Sequence, residues 1–169
     1  MATLHESPRG IQKTWTIQKY NHGDYQSHRL PFETATFYEN VLLDEGITEL
    51  LNLLVASTSA GQLPFNQTNT YLGVGNSTAS SGLSTLTELV STAAVYVQCS
   101  TGYPQVSNQT VTWQSVFSSG QANFAWREFS LRNSATSTGR ARNLNRRVSN
   151  QGTKVAGQTW TASLSLTVS

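Results

Sequence analysis

Thr159-Trp160-Thr161-Ala162-Ser163-Leu164-Ser165-Leu166-Thr167-Val168-Ser169 alternates without a break. Trp160, Ala162, Leu164, Leu166 and Val168 share one parity, and only hydroxyl side chains occupy the other. A period of two describes a β-strand with one face in an apolar core and the other in polar surroundings. A long uncharged strand left at a sheet edge invites pairing with other chains. The pattern therefore predicts an inner strand, or an edge that another subunit covers.

Shorter strand-like runs precede it at 71–74, 95–99, 110–117, 124–131 and 146–148, separated by clusters of Gly, Asn, Ser and Pro. Strands at this spacing indicate an antiparallel sandwich or barrel. One segment, 44–57, has helical periodicity instead: Ile47, Leu50, Leu51, Leu54 and Val55 recur at three and four, behind Asp44 and Glu45 at the N-terminal end. Acids there favour the unpaired N–H groups and the dipole, and the apolar stripe is expected to pack on the sheet. Leu83, Leu86, Leu89 and Val90 give one more helical turn or a loop that drops leucines into the core. The expected fold is mainly β: an antiparallel sandwich or jelly-roll-like domain over 41–169 with one helix.

Residues 1–40 lack a core-like period. Pro8, Gly10 and the turn-rich Tyr20–Tyr25 stretch break the segment, and only Thr14 to Ile17 alternates as a strand does. It carries Arg9, Lys13, Lys19 and Arg29 beside Trp15, Tyr20 and Tyr25. Arginines and aromatics scattered along an irregular segment suit interface anchors. The expectation is an extended N-terminal arm, ordered only when it wraps a partner. The alternative is a segment folded back on its own domain.

Of the 169 residues only 12% are charged, about half the usual share. Between Leu51 and Trp126 the one charge is Glu88. A surface so poor in charge suits a subunit that faces other subunits, with a homo-oligomer, trimer first, as the expected state. Seven basic residues against one acid then follow between Arg127 and Lys154, including Arg140, Arg142, Arg146 and Arg147. No aromatic interleaves with these four to stack bases, so a basic loop meeting an acidic protein surface is expected rather than nucleic acid.

Gly73-Val74-Gly75 lacks the third glycine of a dinucleotide loop, and no Gly-Lys-Ser/Thr follows, so it reads as a tight turn. His5, His22 and His28 match no metal spacing, and the lone Cys99 excludes a thiolate zinc site and reads as a small buried hydrophobe. Glu128 lies in an apolar run and is expected in a structural ion pair or backbone hydrogen bond, since no second acid stands near it in sequence. The sequence predicts no enzyme, cofactor or metal. Nor does it show a signal peptide or a membrane-spanning run, which leads to the expectation of synthesis in a host cytoplasm.

The series 40–50, Tyr71-Leu-Gly-Val-Gly-Asn-Ser77, Gly102-Tyr-Pro104, Ala122-Asn-Phe-Ala-Trp-Arg-Glu128, Asn143-Leu-Asn-Arg146 and 152–160 resembles small virion structural proteins of tailed bacteriophages. The resemblance spans roughly 40–169, and its motifs are glycines, aromatics and turn residues. It implies a virion component: a capsid cement (decoration) protein bound to the major capsid protein at the capsid surface, or a tail, neck or baseplate subunit. A host-surface carbohydrate-binding module is the reading from another class. For the cement reading, the contact residues to capsid or sister subunits are Arg9, Lys13, Trp15, Lys19, Tyr20, Tyr25, Arg29, Arg140, Arg142, Arg146 and Arg147.

Overall fold

The computed structural model describes residues 10–38, 41–55, 62–79, 84–136, 139 and 141–169. Among them are ten strands and one helix. In chain order these are β1 (Ile11–Tyr20), β2 (Glu33–Phe37), β3 (Val41–Leu42), α1 (Asp44–Leu54), β4 (Tyr71–Gly75), β5 (Val95–Gln98), β6 (Gln105–Ser107), β7 (Thr110–Phe117), β8 (Glu128–Arg132), β9 (Asn143–Val148) and β10 (Thr159–Val168). They form a β-sandwich of two five-stranded antiparallel sheets. The first runs β2-β1-β10-β7-β6 and the second β3-β9-β8-β4-β5.

The terminal strand sits where its alternation puts it. β10 is an inner strand between β1 and β7, with Trp160, Ala162, Leu164 and Leu166 buried. The hydroxyl parity is used as well. Thr167 and Thr110 bond across the pair at 2.7 Å, and Ser165 and Thr112 at 2.8 Å. Such cross-strand pairs satisfy the polar face without charge.

The chain does not divide at residue 40. β1 pairs with β10 along its whole length, from Ile11↔Val168 to Tyr20↔Thr159, and β2 closes the edge. Trp15 and Ile17 are fully buried. A strand of ten residues needs a neighbour for its backbone and a lid for its apolar face, and both lie within this domain. The short Thr14–Ile17 alternation was the visible part of that strand. Residues 1–9 of the expected arm lie outside the described residues.

The core between the sheets is an aromatic chain. Trp15 contacts Phe37 and Phe129, Phe129 contacts Trp126, and Trp126 contacts Trp160 and Phe117, with ring centroids 4.7–6.4 Å apart. Tilted and edge-on geometries dominate, as the ring quadrupoles favour. Cys99 is buried in the same core, as expected.

A third layer, the 84–94 segment, covers the outer face of the second sheet, and α1 packs on β9 with Leu50 and Leu53 toward the core. The helix ends at Leu54, and residues 56 and 57 of its expected span lie outside the described residues. Its buried face also differs from the expected one. Gly46 and Glu49 are buried and Leu50 and Leu53 lean on the core, while Ile47, Leu51, Leu54 and Val55 are exposed. Gly46 explains the rotation. A Cβ there would lie 2.4 Å from the Leu144 Cα and 2.5 Å from the Asn143 carbonyl oxygen. Only glycine lets the helix sit this close on β9, and that contact points the leucine stripe outward. Leu83 is outside the described residues, and 84–94 is irregular, with Leu89 buried.

Candidate interaction surface

Beneath that third layer the outer face of the second sheet is polar and buried. The Glu128 carboxylate lies 2.6 Å from the Arg146 Nε, with both side chains fully buried. It also accepts the backbone N–H groups of Val90 (2.7 Å) and Ser91 (3.0 Å), while Arg146 donates to the Ala79 carbonyl (3.1 Å). The ion pair expected of Glu128 is present, and its partner is Arg146, not its sequence neighbours Arg127 or Arg132. A buried pair of this kind persists only when its remaining donors and acceptors are satisfied, and here they hold Ala79, Val90 and Ser91 onto the sheet.

Around it, Asn143 accepts from Ser130 (2.8 Å), and its backbone N–H donates to Glu45 (2.6 Å), whose carboxyl burial pushes up in pKa. Glu49 accepts from Leu63 N–H (2.7 Å) and the Asn133 amide (3.2 Å), tying α1 to the sheet. The Arg132 guanidinium carbon lies over the Tyr96 ring, 3.5 Å from its centroid, and burial lowers its pKa. Burial pushes the Tyr96 phenol up to about 12. Tyr96 in turn covers Gly73, where a Cβ would meet the ring at 2.3 Å. Gly73 and Gly75 are thus strand residues of β4 beneath packed side chains. The expected tight turn is absent because β4 runs between β5 and β8.

The contact residues expected for a partner scatter. Trp15 and Tyr20 are core, and Tyr25 is half-buried against Tyr20, with ring centroids 5.2 Å apart. Lys19 is buried, paired with Glu33 at 2.6 Å and lying 4.8 Å over Trp160. Arg29 is exposed and pairs with Asp24 at 3.2 Å. Arg142 is half-buried, donating to the carbonyls of Ala141 (2.7 Å) and Gly139 (3.3 Å). Arg146 is locked to Glu128, and Arg147 is half-buried in β9. The basic cluster is therefore not a loop presenting four charges. Its Arg146 and Arg147 lie in β9, where Arg146 is internal, because strand alternation separates side chains that sequence places together. Arg9 and Arg140 lie outside the described residues. Of the set, Lys13 lines a surface hollow, with Ile11, Gln12 and Tyr38.

That hollow belongs to the surface the sequence reading missed. Ile11, Tyr38, Val106 and Val168 are exposed apolar side chains, with Val106 at 76%. Ile11, Val106 and Val168 sit at one end of the first sheet, and on its inner face Leu166 and Val111 join Val106 and Val168 in lining a second, larger hollow of about 540 Å³. Their sequence signal was weak: Val106 stands in a three-residue strand, too short to show a period. Among the described residues no group of His, Cys, Asp and Glu could hold a metal ion, and no helix is long and apolar enough to cross a membrane. No family model matches the chain, and neither a curated protein nor a solved structure matches it.

Proposed function

We propose that the protein is a non-catalytic structural subunit of a tailed-bacteriophage particle. The carrying observation is its surface: apolar side chains stand exposed at one sheet end and along α1, on a chain with a single charge between Leu51 and Trp126. Apolar patches with little charge mark surfaces that other proteins cover. The resemblance of the glycine and aromatic motifs supplies the particle. Its polar side chains are largely spent in structural networks, which supports a scaffold over a carbohydrate site.

The capsid-cement form drew its support from a wrapping arm of some forty residues. With β1 and β2 built into the first sheet, that support falls on 1–9 alone, and a tail, neck or baseplate position becomes the favoured form. Quantitative peptide mass spectrometry on particles of the phage that encodes this chain tests both. A small fraction of the major capsid protein's copy number supports the tail position, and a comparable number restores cement. Absence from washed particles overturns the reading.

A further inference from the structure

The two edges of the first sheet complement each other at the same level. Gly10 and Ser169 exchange both backbone hydrogen bonds, at 2.7 and 3.0 Å. That exchange sets the phase of the ladder: even-numbered residues of β1 bond to β10, and odd-numbered ones face β2. The Phe32 N–H donating to the Lys19 carbonyl at 2.9 Å agrees. But β2 reaches only as far as Trp15↔Phe37. The N–H and C=O groups of Ile11 and Lys13 therefore project from the sheet with no strand beside them among the described residues.

On the opposite edge, the Val168 N–H donates to the Gln109 carbonyl at 3.0 Å. The alternation carries across so that Gln105 and Ser107 bond to β7 and the Val106 N–H and C=O face outward. Lys13, Leu166, Val111 and Val106 form one row across the sheet. Because each neighbour is antiparallel, β1 and β6 run in opposite directions. A second copy placed beside the first by translation, with a modest rotation for twist, brings its β6 antiparallel to the open part of β1. Pleat and hydrogen-bond phase then match, with Val106 opposite Lys13.

We propose that copies of this chain associate edge to edge through these strands, Val106 of one copy docking into the hollow formed by Ile11, Gln12, Lys13 and Tyr38 of the next. The hollow measures about 280 Å³, and Val106 is the most exposed apolar side chain of the sheet's strands. The contact gives a hydrogen-bonded pair and covers Ile11 and Tyr38, both exposed in the single chain. Among the described residues Lys13 is the one charge lining the notch, and its long stem lets the ammonium reach water while the methylenes stay covered. The interface is heterologous, so repetition yields a ring or a filament rather than a two-fold dimer. It holds independently of any phage role.

Cysteine variants and a short bismaleimide test it. Val106→Cys and Lys13→Cys chains, each folded by circular dichroism, are expected to give a cross-linked dimer only when mixed, and the double variant a ladder of multimers. The wild type is the control, its Cys99 being buried. Proline at 106 removes the outward N–H while sparing the two residues that bond to β7, and is expected to weaken association measured by sedimentation at least about tenfold, the worth of one hydrogen bond. The inference is overturned by single variants that cross-link with themselves as readily as in the mixture, or by a wild-type monomer at every concentration with no cross-link in the mixture. Either failure leaves the structural-subunit reading to its own test on the particle.

Discussion

The Trp15 and Phe129 rings meet at 5.5 Å between centroids, one from β1 of the first sheet and the other from β8 of the second. A residue near the start of the chain thus sits in the same aromatic chain as Trp126 and Trp160. Trp15→Ala is expected to destabilise the protein by about 3–5 kcal/mol, the range for truncating a buried aromatic. Deleting residues 1–30 removes β1 and is expected to leave no cooperative unfolding transition. Urea denaturation followed by tryptophan fluorescence checks both.

Glu128 and Arg146 are expected to behave as a unit. Glu128→Gln keeps the shape but removes the charge that Arg146 meets, at a cost of about 3–5 kcal/mol. A double change to Glu128→Leu and Arg146→Met is expected to cost less than the sum of the single changes, because neither charge is then buried alone. A double-mutant cycle in urea reads the difference. Additive single and double effects would show that the two groups are stabilised separately.

Gly46→Ala places two opposed effects on one residue. Alanine gains about 1 kcal/mol of helix propensity over glycine. Its Cβ, however, would overlap the backbone of Asn143 and Leu144 at 2.4–2.8 Å, and backbone cannot step aside as a side chain can. The expected net result is a loss of stability, read as a lower melting temperature, with α1 displaced from β9.

Lys154 is fully buried, and its ammonium donates to the carbonyls of Ser118 (2.8 Å) and Gln121 (2.9 Å) and to the Asn123 Oδ1 (2.8 Å). Burial pushes its pKa down to about 8. Between pH 8 and the ordinary lysine value the unfolded chain holds a proton that the folded chain has lost, so this group makes stability rise with pH. Cys99, Tyr20 and Tyr96 have pKa values raised by burial and act in the opposite sense at higher pH. The quantity to measure is therefore the difference between wild type and Lys154→Met across pH 7–10. Wild type is expected to gain on the variant as pH rises above 8.

What was legible in the sequence followed from unbroken periodicity. β10 and β7 match their runs residue for residue, because each presents one face to the core over most of its length. β1 was obscured because its inner parity includes Lys13 and Lys19, and a pairing such as Lys19 with Glu33 cannot be read from spacing. The helix was placed but turned the wrong way. Gly46, Glu49, Leu50 and Leu53 also recur at three and four, and only the close approach to Leu144 decides between the stripes. Trp15, Tyr20, Lys19 and Arg146, which as aromatics and charges suit a contact surface, are spent internally by the fold. The exposed apolar positions carry no pattern of their own.

The central claim is that Ile11–Tyr20 is a middle strand of the free protein and not an arm awaiting a partner. Amide hydrogen exchange on the isolated protein tests it directly. Peptides covering 12–20 are expected to exchange as slowly as those covering 159–168, since each strand supplies the other's hydrogen bonds and opens with it. Exchange of 12–20 at the rate of an unstructured peptide, with 159–168 still protected, would contradict the account and return the segment to the role of a wrapping arm.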